Sequence, residues 1–297
     1  MSDISASTIN ELFVQKLNSP DDLHKLAAEG SSFIRAKLRE VAFSRKIVNP
    51  QYVTKADLTR SVNHDGLVKI VDIEPDSKAF AINFRGDAEY NYIEGERYEI
   101  PFYVVSSEDF QKVEEELLAY EMPLTEVIEK NSVLDIQKIE DTNFLTAVDA
   151  AITVQTSSVS GVYTSGTIPK TAFKDLFDVL DGNELESKLL LMDRKMWNRL
   201  FLYDATVVSD AVGAETVVNG YTYMTLFGRR LVVSNKTDLL DNKIYCFTDQ
   251  EFFGQFLILN DTKFWIDKKK NMITFAAYES IGFGIGNTKA CARLDLS

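Results

Sequence analysis

Hydrophobic positions change their period several times along the chain, and each change predicts an element. At the start, Asn10 stands as a cap before "ELFVQKL", and "DDLHKLAAEGSSFIRAKLREVAF" carries apolar residues at helical spacing, so residues 1–50 read as a polar N-terminal arm with helical stretches. Alternation then takes over. Leu67, Lys69 and Val71 alternate with Val68, Ile70 and Asp72, the chain turns at Pro75-Asp76-Ser77-Lys78, and it returns through Phe80, Ile82 and Phe84, which is a β-hairpin pattern. A second extended piece, "ERYEIPFYVV", follows the polar stretch "RGDAEYNYIEGE". A two-stranded ribbon is marginal in water by itself, so this region is expected to need a neighbouring surface.

The period lengthens again beyond Ser106. Ser107 with Glu108 and Asp109 predicts an N-terminal cap for a helix over "FQKVEEELLAY", and Pro123 must break or restart it near Met122. Ser132, with Asp135 three residues on, predicts the cap of a second helix whose apolar positions include Val133, Ile136, Phe144, Val148 and Ile152. After the Ser/Thr/Gly stretch "TVQTSSVSGVYTSGT" the pattern becomes mixed. "IPKTAFKDLFDVLDG" predicts a helix that starts at Pro169, lines up Phe173, Leu176, Phe177 and Leu180, and ends at Gly182. "SKLLLMD" reads as a buried strand and "RKMWNRLFLYD" as a helix. A strand pair is expected around Gly228, and the last strands in "KIYCFTD", "KFWIDKKKNMITFAAYESIGFGI" and "KACARLDL". No internal repeat of fixed period emerges.

Composition adds limits. With 297 residues, 45% of them apolar, the chain can build one large or two medium domains with real cores. A formal charge of -13 argues against the whole chain acting as an electrostatic sleeve for nucleic acid or anionic lipid. Cys246 and Cys291 lie far apart without CxxC spacing, which predicts neither a disulfide framework nor a zinc site. The start "MSDISASTINELF" lacks a basic region and a long apolar core, so the chain reads as soluble and not secreted. Arg35, Lys37, Arg39, Arg45 and Lys46 make the second half of the arm basic, and Glu114-Glu115-Glu116 is its acidic counterpart; both read as solvated helix faces.

Candidate chemistry is sparse. His24 and His64 are the two histidines, and neither has a GxSxG or similar nucleophile context. "GFGIGN", Gly282 to Asn287, has the wrong third-glycine spacing for a dinucleotide loop and reads as a glycine-kinked strand. Asp238 and Asp241 do not form a calcium loop. Lys268-Lys269-Lys270, beside Phe264 and Trp265, reads as a turn carrying solvated lysines rather than a phosphate contact. No catalytic, cofactor-binding or metal-ligating residue is assigned. A chain of this size without a catalytic constellation points to a binding or structural protein.

The order of the parts carries a resemblance. "RYEIPFYVVSSEDFQKVEEELLAYEMPLTEVIEKNSVLDIQKIEDTNFL" resembles the segment in which the tailed-phage major capsid protein, of the Hong Kong 97 type fold shared by encapsulins, leaves its extended loop and runs along its spine helix, with Glu140-Asp141 at the place of a frequent acidic pair. "IPKTAFKDLFDVLDGNELESKLLLMDRKMWNRLF" is similar to the axial-domain pattern of helix, strand ending in Asn or Asp, and helix. "MTLFGRRLVVSN" resembles the family's G-x-P-V strand pair, with Arg230 in place of the usual proline, and "GIGNTKACARLDL" resembles its final peripheral strand.

The resemblance implies an α+β fold with an N-terminal arm (1–50), an extended β-hairpin loop (51–100), a peripheral domain with a long spine helix (101–155 and 265–297) and an axial α/β domain (156–264). It implies a non-enzymatic virion protein, assembled in the host cytoplasm as hexamers and pentamers into an icosahedral head around double-stranded DNA, without sequence-specific DNA contacts, a cofactor or a membrane. Expected partners are other copies of the chain, a separate scaffolding protein, a portal and a decoration or cement protein. The expected inter-subunit contacts on the extended loop are Lys69, Pro75, Asp76, Ser77, Lys78 and Arg85. An encapsulin-like compartment shell is the alternative of the same fold; a hydrolase using His64 is the alternative of a different class.

Overall fold

The run Leu189–Asp193 is buried at every position, which a strand can be only when both faces of its sheet are covered. In the computed structural model, which describes residues 42–63, 65–73, 81, 95–118, 124–163, 166–200 and 224–297, that strand lies inside the smaller of two sheets. The described chain begins with a short helix α1 (Ser44–Ile47) and continues through β1 (Pro50–Tyr52), β2 (Thr59–Arg60), β3 (Leu67–Asp72), β4 (Arg97–Ser106) and β5 (Phe110–Val113). Helices α2 (Glu114–Leu118) and α3 (Leu124–Gln155) follow, then β6 (Ser158–Gly161), α4 (Lys170–Asp181), β7 (Leu189–Asp193) and α5 (Arg194–Leu200). The remainder runs β8 (Met224–Leu226), β9 (Arg229–Ser234), α6 (Thr237–Leu240), β10 (Lys243–Phe247), α7 (Gln250–Phe253), β11 (Gly254–Lys269), β12 (Met272–Ile285) and β13 (Cys291–Leu296).

The smaller sheet has six strands in the order β6-β13-β10-β7-β9-β8. Leu190, Met192, Ile244 and Cys246 point to one face, where α4 and α5 complete a core; Leu189, Leu191, Tyr245 and Phe247 point to the other, where they join α3 and the second sheet. The larger sheet has seven strands in the order β1-β11-β12-β4-β3-β2, with β5 pairing β12 beside β4. Its long strands β11 and β12 pack against α3 through Phe256, Phe264, Phe275 and Ile281.

Helix α4 forms as its pattern predicts: Pro169 precedes it, Gly182 follows it, and Ala172, Phe173, Leu176, Phe177 and Leu180 are buried. The turn at Phe227 and Gly228 joins β8 to β9, with both residues at positive φ as a tight primed turn requires. Arg230 donates its backbone N–H to Lys188 O at 2.9 Å, a bond a proline there could not make. Gly282 to Ile285 of "GFGIGN" are the end of β12, as read, with Gly286 and Asn287 just past it; a Cβ at Gly284 would stand 2.5 Å from Ile100 Cγ1, so glycine lets β4 cross the strand closely.

Two expectations are overturned. Residues 110–113 form a strand rather than the start of a helix, because Phe110 to Val113 pair with Phe275 to Met272 and the sheet ladder outweighs local helix preference. Ser132 caps nothing: α3 runs unbroken from Leu124 to Gln155, and Ser132 is buried in its interior. The C-terminal strand β13 pairs with β10 and β6 in the six-stranded sheet, and residues 254–264 begin the long strand β11 of the other sheet.

The hairpin base also finds a surface within its own chain. Val53, Leu58, Ile100 and Leu257 form a small third core behind β3 and β4. Farther along the ribbon Leu67 and Ile70 are exposed.

Candidate functional site: a buried charge junction on the long helix

The apolar stripe of α3 is interrupted in its middle by Gln137, Glu140 and Asp141, all of them buried. Carboxylates are rarely buried without partners, and here the junction is completed from four other segments. Arg45, on α1, donates through Nε to Glu140 Oε1 at 2.7 Å and through Nη2 to Glu279 Oε2, on β12, at 3.0 Å. Thr262, on β11, donates to Glu279 Oε2 at 3.0 Å. The β11 and β12 registers slip at this point, with Asn260 facing Ser280 and Lys263 facing Tyr278, so an extra residue on β11 turns Thr262 inward. The Arg45 guanidinium lies 5.6 Å from the Phe256 ring centre.

Asp141 makes the second half of the junction. Its Oδ1 accepts the backbone N–H of Ser44 at 3.0 Å, and its Oδ2 binds Lys236 Nζ at 2.5 Å. Lys236 follows β9 and also donates to Gln137 O at 3.1 Å. Adjacent residues of one helix therefore tie it to different bodies. Through Arg45, Glu140 is linked to Glu279 of the seven-stranded sheet, Asp141 reaches Lys236 at the end of the six-stranded sheet, and both hold α1.

Burial sets the electrostatics. It pushes the Glu140 carboxyl up to about 8 against the pull of Arg45, and it raises Glu279 in the same sense. Burial also lowers Lys236, partly offset by Asp141. A second, more open cluster ends α3: Asp149 accepts from Tyr245 at 3.0 Å and from Arg293 at 2.8 Å, and Arg293 also holds Asp295.

Glu140 and Asp141, singled out as an acidic pair, are thus brought together with Arg45, which the sequence reading placed on a solvated face; Arg45 is 6% exposed. The local helical spacing around Arg45 is the same for a solvated and a buried position, and its partners lie 95 and 234 residues away, so no local signal marks it. Of the loop contacts, Lys69 lies half-buried on β3, while Pro75, Asp76, Ser77, Lys78 and Arg85 lie outside the described residues, as do His24 and His64. Lys268 pairs with Glu114 at 2.6 Å, Lys270 occupies the turn into β12 with φ 59°, and Phe264 is in the core.

The junction is a structural device, closed to any substrate by its burial. Two surface clefts are chemically plain. One of about 320 Å³ lies over α4 between Phe173, Phe177 and Phe227, where Arg229 stacks on Phe177 at 3.6 Å. The other, of about 410 Å³, lies at the hairpin base beside Tyr98 and Phe252. Among the described residues, no group of three or more His, Cys, Asp or Glu side chains is placed to hold a metal, and no helix is long and apolar enough to cross a membrane.

No family model matches the chain, and no curated protein matches it in sequence. Solved structures do. The capsid of an empty GTA particle shares 14% identity over 86% of this chain and 90% of its own, with a TM-score of 0.59. The mature capsid of bacteriophage PhiM1 shares 9% over 84% and 86%, at 0.56. A virus-like particle from Pyrococcus furiosus shares 15% over 89% and 98%, at 0.54. At such identities what is held in common is the architecture: mixed α+β, and the fold of phage capsid structures.

Proposed function

We propose that the chain is a major capsid protein of the Hong Kong 97 type, a structural rather than enzymatic component that assembles as hexamers and pentamers into the icosahedral head of a tailed bacteriophage. The observation that carries this reading is the likeness along nearly the whole of both chains to capsid structures, 86% of this one and 90% of the GTA capsid chain. In this reading the six-stranded sheet, including β13, is the axial part, and the seven-stranded sheet with α3 is the peripheral part. In the same reading the extended loop, with Lys69, Pro75, Asp76, Ser77, Lys78 and Arg85, contacts a neighbouring subunit. Exposed Leu67 and Ile70 support that role, since a ribbon with apolar residues in water gains from being covered.

Many identical weak contacts then add up to a robust closed shell. A charge of -13 suits a wall that encloses double-stranded DNA without gripping it. A scaffolding protein, a portal and a decoration protein would be its partners in the virion, after assembly in the host cytoplasm.

The test is negative-stain electron microscopy with light-scattering mass on the purified chain, alone and with its neighbouring gene products. Closed angular shells, or hexamers and pentamers, are expected, with nuclease-protected DNA in filled particles. One abundant copurified protein and no DNA would instead identify an encapsulin-like compartment. A homogeneous monomer or dimer under both conditions would overturn the shell reading.

A further inference from the structure

The junction at Arg45 holds charges that do not cancel. Asp141 is matched by Lys236, which leaves one guanidinium between two glutamates. The side chains of Arg45, Glu140 and Glu279 are 4%, 0% and 1% exposed. One oxygen of each glutamate, Glu140 Oε2 and Glu279 Oε1, has no hydrogen-bond partner among the described residues. Two ionised carboxylates would therefore leave a net negative charge buried, with an unsatisfied oxygen on each, and such a state is strongly disfavoured.

We propose that Glu140 and Glu279 hold a single proton between them, and that its loss to solvent is a switch that releases residues 42–48 from the long helix and the seven-stranded sheet. With the proton in place the cluster is neutral and Arg45 is clamped from both sides. Without it, the cluster carries a buried negative charge whose main cost is the water it has lost, and opening at residues 42–48 lets water back to both carboxylates. The proposal goes beyond the shell reading and does not depend on it.

Every group that faces the pair fits this account. From α1 there is Arg45 alone; from α3, Asp141, already engaged by Lys236; from β4, the Tyr103 hydroxyl, bonded to Asn143; from β11, Thr262 and the more distant Asp261. Among the described residues, Arg45 is the sole cation hydrogen-bonded to either glutamate, and Lys236 acts on Glu140 only through space. The direction of the pH effect follows. A carboxyl raised from 4.5 to about 8 stabilises the closed junction fully below about pH 4.5, and that contribution is lost as the pH climbs through about 8.

Hydrogen exchange of the amides in residues 42–48, followed in the intact protein between about pH 6 and 9 and corrected for intrinsic base catalysis, tests the switch. The opening equilibrium is expected to rise about tenfold per pH unit up to about pH 8 and then level. Glu140→Gln keeps the acceptor for Arg45 and removes the titration, so its opening should be flat across the range; Glu279→Gln should behave the same way and serves if the first variant does not fold. A wild-type profile without the rise, or a rise that survives in the folded glutamine variant, overturns the proposal. The readout is local, so its outcome is independent of whether shells form.

Discussion

Asp141 and Glu140 are neighbours on one helix, yet removing the charge of each should have opposite consequences. Asp141 satisfies two donors, the Ser44 amide and the Lys236 ammonium, and its charge is fully matched. Asp141→Asn leaves a half-buried ammonium without its counter-charge, and urea denaturation at pH 7 should show a loss of about 1.5–3 kcal/mol, the usual worth of a hydrogen bond to a charged group. Glu140 becomes surplus charge once it ionises, so Glu140→Gln should leave stability near the wild-type value below about pH 4.5 and raise it progressively from there, in full above about pH 8. Equal losses for the two variants at both pH values would mean that the junction is held by packing rather than by its charge balance.

At the scale of elements, α3 shows why a long helix can be misread. Its buried stripe follows the usual spacing through Val133, Ile136, Phe144, Val148 and Ile152, but polar residues occupy the turns between them. Ser132 illustrates the conflict. As a cap it would be worth about 1 kcal/mol, and Ser132→Ala would destabilise the helix. In the structure its hydroxyl is buried in mid-helix without a partner among the described residues, so the same substitution removes an orphaned polar atom and adds a better helix former. Thermal unfolding of Ser132→Ala should therefore show a gain of roughly 0.5–1.5 kcal/mol. A loss of similar size would restore the two-helix reading. The strand at 110–113 makes the complementary point: its sequence suits a helix, but β12 offers an open edge beside β4, and pairing there decides its state.

For the whole molecule, the six-stranded sheet is the layer on which both main cores rest. Cys246 stands opposite Ala292 and Cys291 opposite Phe247, so the two thiols project to opposite faces of that sheet and cannot bridge. Each is buried in a different core, and burial pushes each thiol up to about 12. Thiol reagents at pH 8 should consequently react with either cysteine only as the whole molecule unfolds, with labelling that tracks the denaturant transition. Rapid labelling of either cysteine in native buffer would show that one face of the sheet opens locally. The same arrangement accounts for the C-terminal strand: β13 completes the sheet between β6 and β10, and its Ala292, Leu294 and Leu296 fill the core beneath α4.

What the sequence determined by itself was whatever is encoded between near neighbours. Pro169 and Gly182 bound α4, the continuous run at Leu189–Asp193 marked a strand covered on both faces, Gly228 placed a turn, and the glycines of β12 announced a strand rather than a nucleotide loop. The order of those elements was enough to suggest the architecture later found in capsid structures. Tertiary structure alone decided the rest: that Arg45 is buried, that residues 110–113 join a sheet, and that β13 belongs to the six-stranded sheet. The physical reason is common to all three. Period and turn chemistry depend on residues a few positions apart, whereas an ion pair or a strand edge depends on which distant segment arrives, and the energy of that meeting exceeds the local preference it overrides.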